Sequence, residues 1–214
     1  MTEQAHDTCC APVERDSDWH RAAGHARLLS WLSLAYMAAE GAIAITAAII
    51  AGSAALLGFG LDSVIEGLAS VIVVWRFTGA RTLSATAEAR AHKAVAVTFF
   101  LLAPYIAYDA ITTLLAGRAA ATSLLGIALS IASLIVMPLL GLAKKRLAVR
   151  LDSAATAGEG TQNLLCAYLA AGVLVGLLAN TLFGLWWLDP AIALGIAALA
   201  VREGVEAWRG EDCC

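Results

Sequence analysis

The chain has 214 residues, of which 60% are hydrophobic and only 14% charged, and its mean hydropathy is +0.77. Soluble domains carry about a quarter of their residues as charges, so this composition describes a membrane protein. A net charge of −3 argues against a nucleic-acid partner. The first 25 residues are polar, and no basic-then-apolar secretory signal opens the chain, so insertion is expected to begin with the first span. Five cysteines stand as Cys9-Cys10, Cys166 and Cys213-Cys214. Adjacent terminal pairs do not form a disulfide framework and fit a reducing cytoplasm.

Apolar stretches of spanning length run over residues 29–50, 54–75, 95–116, 121–143, 156–183 and 189–207. The expected fold is therefore all-α, a six-transmembrane-helix bundle. It divides into an N-terminal tail (1–27), the six-helix domain (28–207) and a C-terminal tail (208–214), with no soluble domain. Ala51-Gly52-Ser53 joins the first two spans in a tight turn. Pro104 and Pro138 are able to kink the third and fourth. Asp189-Pro190 opens the sixth, with the aspartate placed to cap and the proline at the first helical position.

Orientation follows from the basic residues. Arg15, Arg21 and Arg27 precede the first span, and Arg76, Arg81, Arg90 and Lys93 lie between the second and third. Lys144, Lys145, Arg146 and Arg150 lie between the fourth and fifth, and Arg202 and Arg209 close the chain. Arg118 alone falls on the other side. Basic residues collect on the cytoplasmic face, which sets both termini in the cytoplasm, most simply of a bacterial inner membrane. Trp186-Trp187 then sit at the outer end of the fifth span, where an aromatic belt belongs.

Five acids lie inside these spans: Glu40, Asp62, Glu66, Asp109 and Glu159. A charge in the bilayer core costs several kcal/mol, so such residues face the protein interior and mark ion or proton paths. Asp62 and Glu66 are four apart and stack on one helical face. Their carboxylate oxygens make a divalent cation the natural partner; a structural pair bonded to a neighbouring helix is the alternative. On the fifth span Glu159, Gln162, Asn163 and Cys166 form one polar stripe at a similar depth, so that two stripes are able to build one cage. Interhelical hydrogen bonding is the expected role of Asn163. Glu40 and Asp109 are either a proton relay or a second ligand shell, or else bond to Tyr36, Tyr105 or Tyr108.

Gly52-Ser53-x-Ala55-Leu56-Leu57 followed by Asp62-Ser63-x-x-Glu66 resembles the second span of the cation diffusion facilitator family. Ser153, Glu159, Gln162 and Cys166 stand where that family's fifth span has a Ser, an Asp, a His and a further Asp, and Trp187-Leu188-Asp189-Pro190 resembles its turn before the last span. The resemblance implies a transporter of zinc or a related divalent metal that exchanges it for protons and works as a homodimer. It implies a metal set of Asp62, Glu66, Glu159, Gln162 and Cys166. Two departures stand out. The family's C-terminal cytoplasmic domain is absent, as in a transmembrane-only branch. Gln162 and Cys166 also replace His and Asp, so the usual zinc preference does not simply carry over: zinc stands first, with cadmium, manganese, iron and mercury as alternatives.

The expected function is efflux of a divalent cation across the lipid bilayer by exchange with protons. Neighbouring acids in a low-dielectric site repel, so that one holds a proton until the metal expels it. A mercury-type importer is the first alternative. It draws on His6, Cys9, Cys10, Cys213 and Cys214 as soft-metal tails, set against the plainer reading of mobile tails with incidental thiols. A metal-binding membrane sensor or scaffold without transport is the second. No Ser-His, Cys-His or metal-water constellation appears, which argues against an enzyme.

Overall fold

A computed structural model describes residues 16–51, 54–117 and 124–209. Among these, six α-helices follow one another without a strand: α1 (Ser17–Ala51), α2 (Ala54–Arg76), α3 (Ala85–Ala116), α4 (Leu124–Leu151), α5 (Ala154–Phe183) and α6 (Leu188–Arg209). A short 3-10 helix, Gly79–Leu83, precedes α3. An apolar chain in lipid must satisfy its own backbone groups, and the helix does so within one segment. Ser84 and Ser153 cap α3 and α5, their hydroxyls accepting from the amides of Ala87 and Thr156 at 3.2 Å. Gly117 and Gly184 end the same two helices at φ of 61° and 69°, a conformation that glycine adopts without a β-carbon clash.

Helices α1, α3, α4 and α5 are long and apolar enough to cross a bilayer. The other two reach 23 and 22 residues, but α2 carries Asp62 and Glu66, and α6 carries Asp189, Arg202, Glu203, Glu206 and Arg209. Four helices of spanning character thus stand where six spans are expected. The helices α1 and α3 begin well before the apolar stretches within them, at Ser17 and Ala85. Asp189 lies in the first turn of α6, one residue inside its start. Gly52, Ser53, Arg118 and the terminal residues His6, Cys9, Cys10, Cys213 and Cys214 lie outside the described residues.

One expectation is corrected. Lys144, Lys145, Arg146 and Arg150 do not lie between the fourth and fifth helices: α4 continues to Leu151, and Lys144 is fully buried within it. The run Leu147-Ala148 and Leu151 keeps an apolar face directed at the bundle beyond the lysine, with Ala148 and Leu151 buried, so the helix does not stop at the charges.

The packing repeats at an interval of 100 residues. Helix α1 lies along α2 as α4 lies along α5, α2 meets α3 as α5 meets α6, and α3 pairs with α6. A β-carbon on Gly41 would sit 3.3 Å from the Gly60 carbonyl oxygen, and one on Gly141 would sit 2.8 Å from that of Gly160. Both crossings depend on glycine, because there a β-carbon would press on the partner helix's backbone. Ser30 and Ser130, Ser33 and Ser133, and Met37 and Met137 are likewise buried at equivalent positions.

At the arginine-rich end a polar clasp joins three segments. Arg76 donates to Glu88 at 2.6 Å and to the Arg81 carbonyl at 2.6 Å. Glu88 also accepts from the Ser153 hydroxyl at 2.9 Å and the Ala155 amide at 3.1 Å, at the positive N-terminal end of α5. Beneath it Trp19, Phe77, Val95, Phe99, Leu151 and Ile196 form the main apolar core.

Candidate metal site

The i, i+4 spacing on α2 stacks Asp62 over Glu66, and both are buried, at 9% and 3% exposure. Helix α5 brings Cys166 against them. One ligand atom from each of Asp62, Glu66 and Cys166 lies within 4.8 Å of the others, and all three side chains are buried. Asp62 Oδ1 and both oxygens of Glu66 have no hydrogen-bond partner of ordinary geometry, although the Cys166 thiol leans on the Glu66 carboxyl. Buried carboxylate oxygens left in this way are expensive, and they are what a cation would satisfy. Two hard oxygen donors and one soft sulfur donor suit a borderline divalent ion.

The other sequence-predicted residues fall around this group. Gln162 is buried and donates through Nε2 to Thr98 Oγ1 on α3 at 2.6 Å, while its Oε1 has no partner. Glu159 turns away from the three donors. Its Oε1 lies 2.7 Å from Lys144 Nζ, and its Oε2 accepts from Ser30 Oγ at 2.6 Å. Asn163 makes interhelical bonds, accepting from Lys144 Nζ at 2.8 Å and donating to Met137 Sδ at 3.1 Å. Lys144 also donates to Ser33 Oγ at 2.5 Å, which joins Ser30, Ser33, Met137, Lys144, Glu159 and Asn163 in one network of six side chains. An ion pair in this setting is fully committed, so Glu159 is a counter-charge and not a free donor.

Glu40 is buried on α1 and ringed by hydroxyls. Ser63 donates to Oε2 at 2.9 Å, Tyr36 donates to Oε1 at 3.2 Å, and Ser133 also donates to Oε1. The tyrosine bond expected for Glu40 is present, and Ser63 ties it to α2 between Asp62 and Glu66. Asp109 lies on an exposed face of α3.

The repeat places the site. Gln162 stands 100 residues after Asp62, Asn163 after Ser63, and Cys166 after Glu66, so the site forms where equivalent faces of the two halves meet. Lys144, Ser30, Ser33, Ser133, Met37 and Met137 were not legible as polar partners or site neighbours from their immediate sequence. The 100-residue interval is the signal that would have found most of them.

No family model matches the chain. It is similar to an uncharacterized transporter of Synechocystis, 27% identical over 192 residues that make up 86% of this chain and 62% of that protein. It is also similar to transmembrane protein 163 of Xenopus laevis, 28% identical over 180 residues, or 83% of this chain and 64% of the relative. The chain spans less than two thirds of the length of these curated relatives. The apolar helices and this likeness make it an integral membrane protein.

Proposed function

We propose that the chain is a carrier of divalent metal ions, of the cation diffusion facilitator type, with six membrane crossings, and that it exchanges metal for protons across a bacterial inner membrane. The observation that carries this reading is the buried group of Asp62, Glu66 and Cys166, in which Asp62 Oδ1 has no hydrogen-bond partner and the Glu66 carboxyl meets only the Cys166 thiol. The likeness to an uncharacterized transporter supports transport over a sensor or scaffold role. The same likeness is the ground on which the function is read as transport and not catalysis.

The metal is the substrate. Asp62 and Glu66 supply two negative charges, which balance a divalent ion, and Cys166 adds a thiolate when its proton leaves. Because carboxylates and thiolate coordinate only when deprotonated, metal entry releases protons and proton entry releases metal. With six crossings the two halves run in opposite senses through the membrane. Inverted repeats of this kind hold their site near the midplane and expose it alternately by rocking one half against the other. The Gly41–Gly60 and Gly141–Gly160 crossings hold each helix pair together during such a movement. Zinc is the substrate that the family resemblance suggests first, and a homodimer the working unit it suggests.

Proteoliposomes holding the protein, loaded with a metal-sensitive dye, test the proposal. Wild-type protein is expected to admit zinc or cadmium against a proton gradient, and Asp62→Asn and Glu66→Gln to abolish the flux while remaining folded. Undiminished flux in both variants would overturn it.

A further inference from the structure

The site has a second face that neither its carboxylates nor the resemblance explains. Met37 on α1 and Met137 on α4 pack with Cys166 and Ala167 in one buried cluster, and the methionines are 1% and 0% exposed. The chain contains three methionines, one of them the initiator, so both internal methionines lie here beside the one described cysteine. Met37 backs onto α2 beside the acids: a β-carbon on Gly67, the residue after Glu66, would lie 3.7 Å from Met37 Cβ. On the other side, Asn163 Nδ2 lies 3.1 Å from Met137 Sδ and holds that thioether toward α5, three residues before Cys166. Methionine fills such a core as leucine would, and in addition brings a polarizable thioether sulfur to it.

We infer that the pocket is two-faced, with oxygens of Asp62 and Glu66 on α2 and the sulfurs of Cys166, Met37 and Met137 on α5, α1 and α4, and that it selects thiophilic divalent cations of the cadmium or mercuric class over zinc. Two carboxylates favour a divalent over a monovalent ion. The sulfur face sets its softness, because thiolate and thioether ligands favour polarizable ions, whereas an all-oxygen site would favour magnesium or manganese. The same sulfur face disfavours manganese and iron. This inference rests on the carrier reading for the site and adds its substrate class.

Equilibrium competition between cadmium and zinc on the detergent-solubilised full chain, with sulfur-to-cadmium charge transfer followed in the ultraviolet, provides the test. Wild-type protein is expected to bind cadmium at least about tenfold more tightly than zinc and to show the charge-transfer band. Cys166→Ser removes the band, and Met37→Leu with Met137→Leu lowers the cadmium-to-zinc ratio by several-fold while zinc binding persists. Equal affinity for the two ions, or cadmium binding without the band, would overturn the inference, and both are read on the wild-type protein whether or not the variants fold. Loss of the carrier reading is separate. It would appear as metal binding that survives Asp62→Asn with Glu66→Gln.

Discussion

Lys144 Nζ lies 2.7 Å from Glu159 Oε1, with the two side chains 0% and 1% exposed, inside the contact between α4 and α5. The pair neutralises the one acid of the α5 stripe that would otherwise add a third negative charge close to Asp62 and Glu66. The carboxylates a divalent ion meets are then those of Asp62 and Glu66 alone.

Removing one partner leaves the other charged and buried. Lys144→Met is expected to destabilise the protein by about 3–5 kcal/mol, and Lys144→Met with Glu159→Leu to recover most of that loss. Thermal unfolding in detergent measures both. A single variant as stable as wild type would show that the pair is not held as described.

How much of this was legible varies by residue, for physical reasons. Span-length apolar runs announced the helices because lipid permits few alternatives, and each of the six helices coincides with the described part of such a run. Asp62 and Glu66 were legible because two carboxylates four apart in an apolar run are too costly to leave facing lipid. Cys166 was legible through its place on the α5 stripe. Lys144 was not, because Lys145 and Arg146 beside it look like a loop, and only the bundle shows that one of the three points inward while the others are more exposed. Glu159 was misplaced for the same reason: its partner sits on another helix, 15 residues away. The sulfur face was illegible, since a lone methionine on a helix reads as packing.

The close helix crossings predict a graded response to alanine. At Gly160 a β-carbon would meet the Gly141 carbonyl oxygen at 2.9 Å, and at Gly60 it would meet Ile45 Cγ1 at 2.5 Å and the Ile45 amide nitrogen at 3.1 Å. Gly160→Ala and Gly60→Ala are expected to cost about 1–3 kcal/mol through overpacking. Gly195 has nothing within 4 Å of that position. Gly195→Ala is expected to be neutral or to stabilise α6 by up to about 1 kcal/mol. Unfolding midpoints of the three variants compare them, and a reversed order would contradict the crossing geometry.

Proton competition fixes the sign of the pH dependence. The metal requires deprotonated carboxylates and thiolate, so apparent affinity falls as pH falls, and binding acidifies a weakly buffered solution. Titration of the metal at several pH values, with a pH-sensitive dye present, reads both effects. Affinity that is constant across the range, with no proton release, would remove the exchange mechanism.

Six crossings predict which exposed positions share a side. Leu83 and Val149 are 50% and 84% exposed and lie toward the arginine-rich end, while Leu115 and Trp187 are 83% and 47% exposed at the other. In a chain whose five cysteines are replaced by serine, single cysteines at Leu115 and Trp187 are expected to react with a membrane-impermeant maleimide from outside intact cells. Those at Leu83 and Val149 are expected to react only after permeabilisation. Equal labelling of the two pairs would contradict the six-crossing arrangement.

One cation shared by α2 and α5 underlies the whole mechanism. Metal bound per chain, counted by elemental analysis after equilibrium dialysis, tests this most directly when wild type is set against Asp62→Asn with Glu66→Gln and against Cys166→Ser. The expected result is about one ion per chain in the wild type, none in the double acid variant and weakened binding in the cysteine variant. Undiminished binding in the double acid variant would place the ion elsewhere and contradict the shared site.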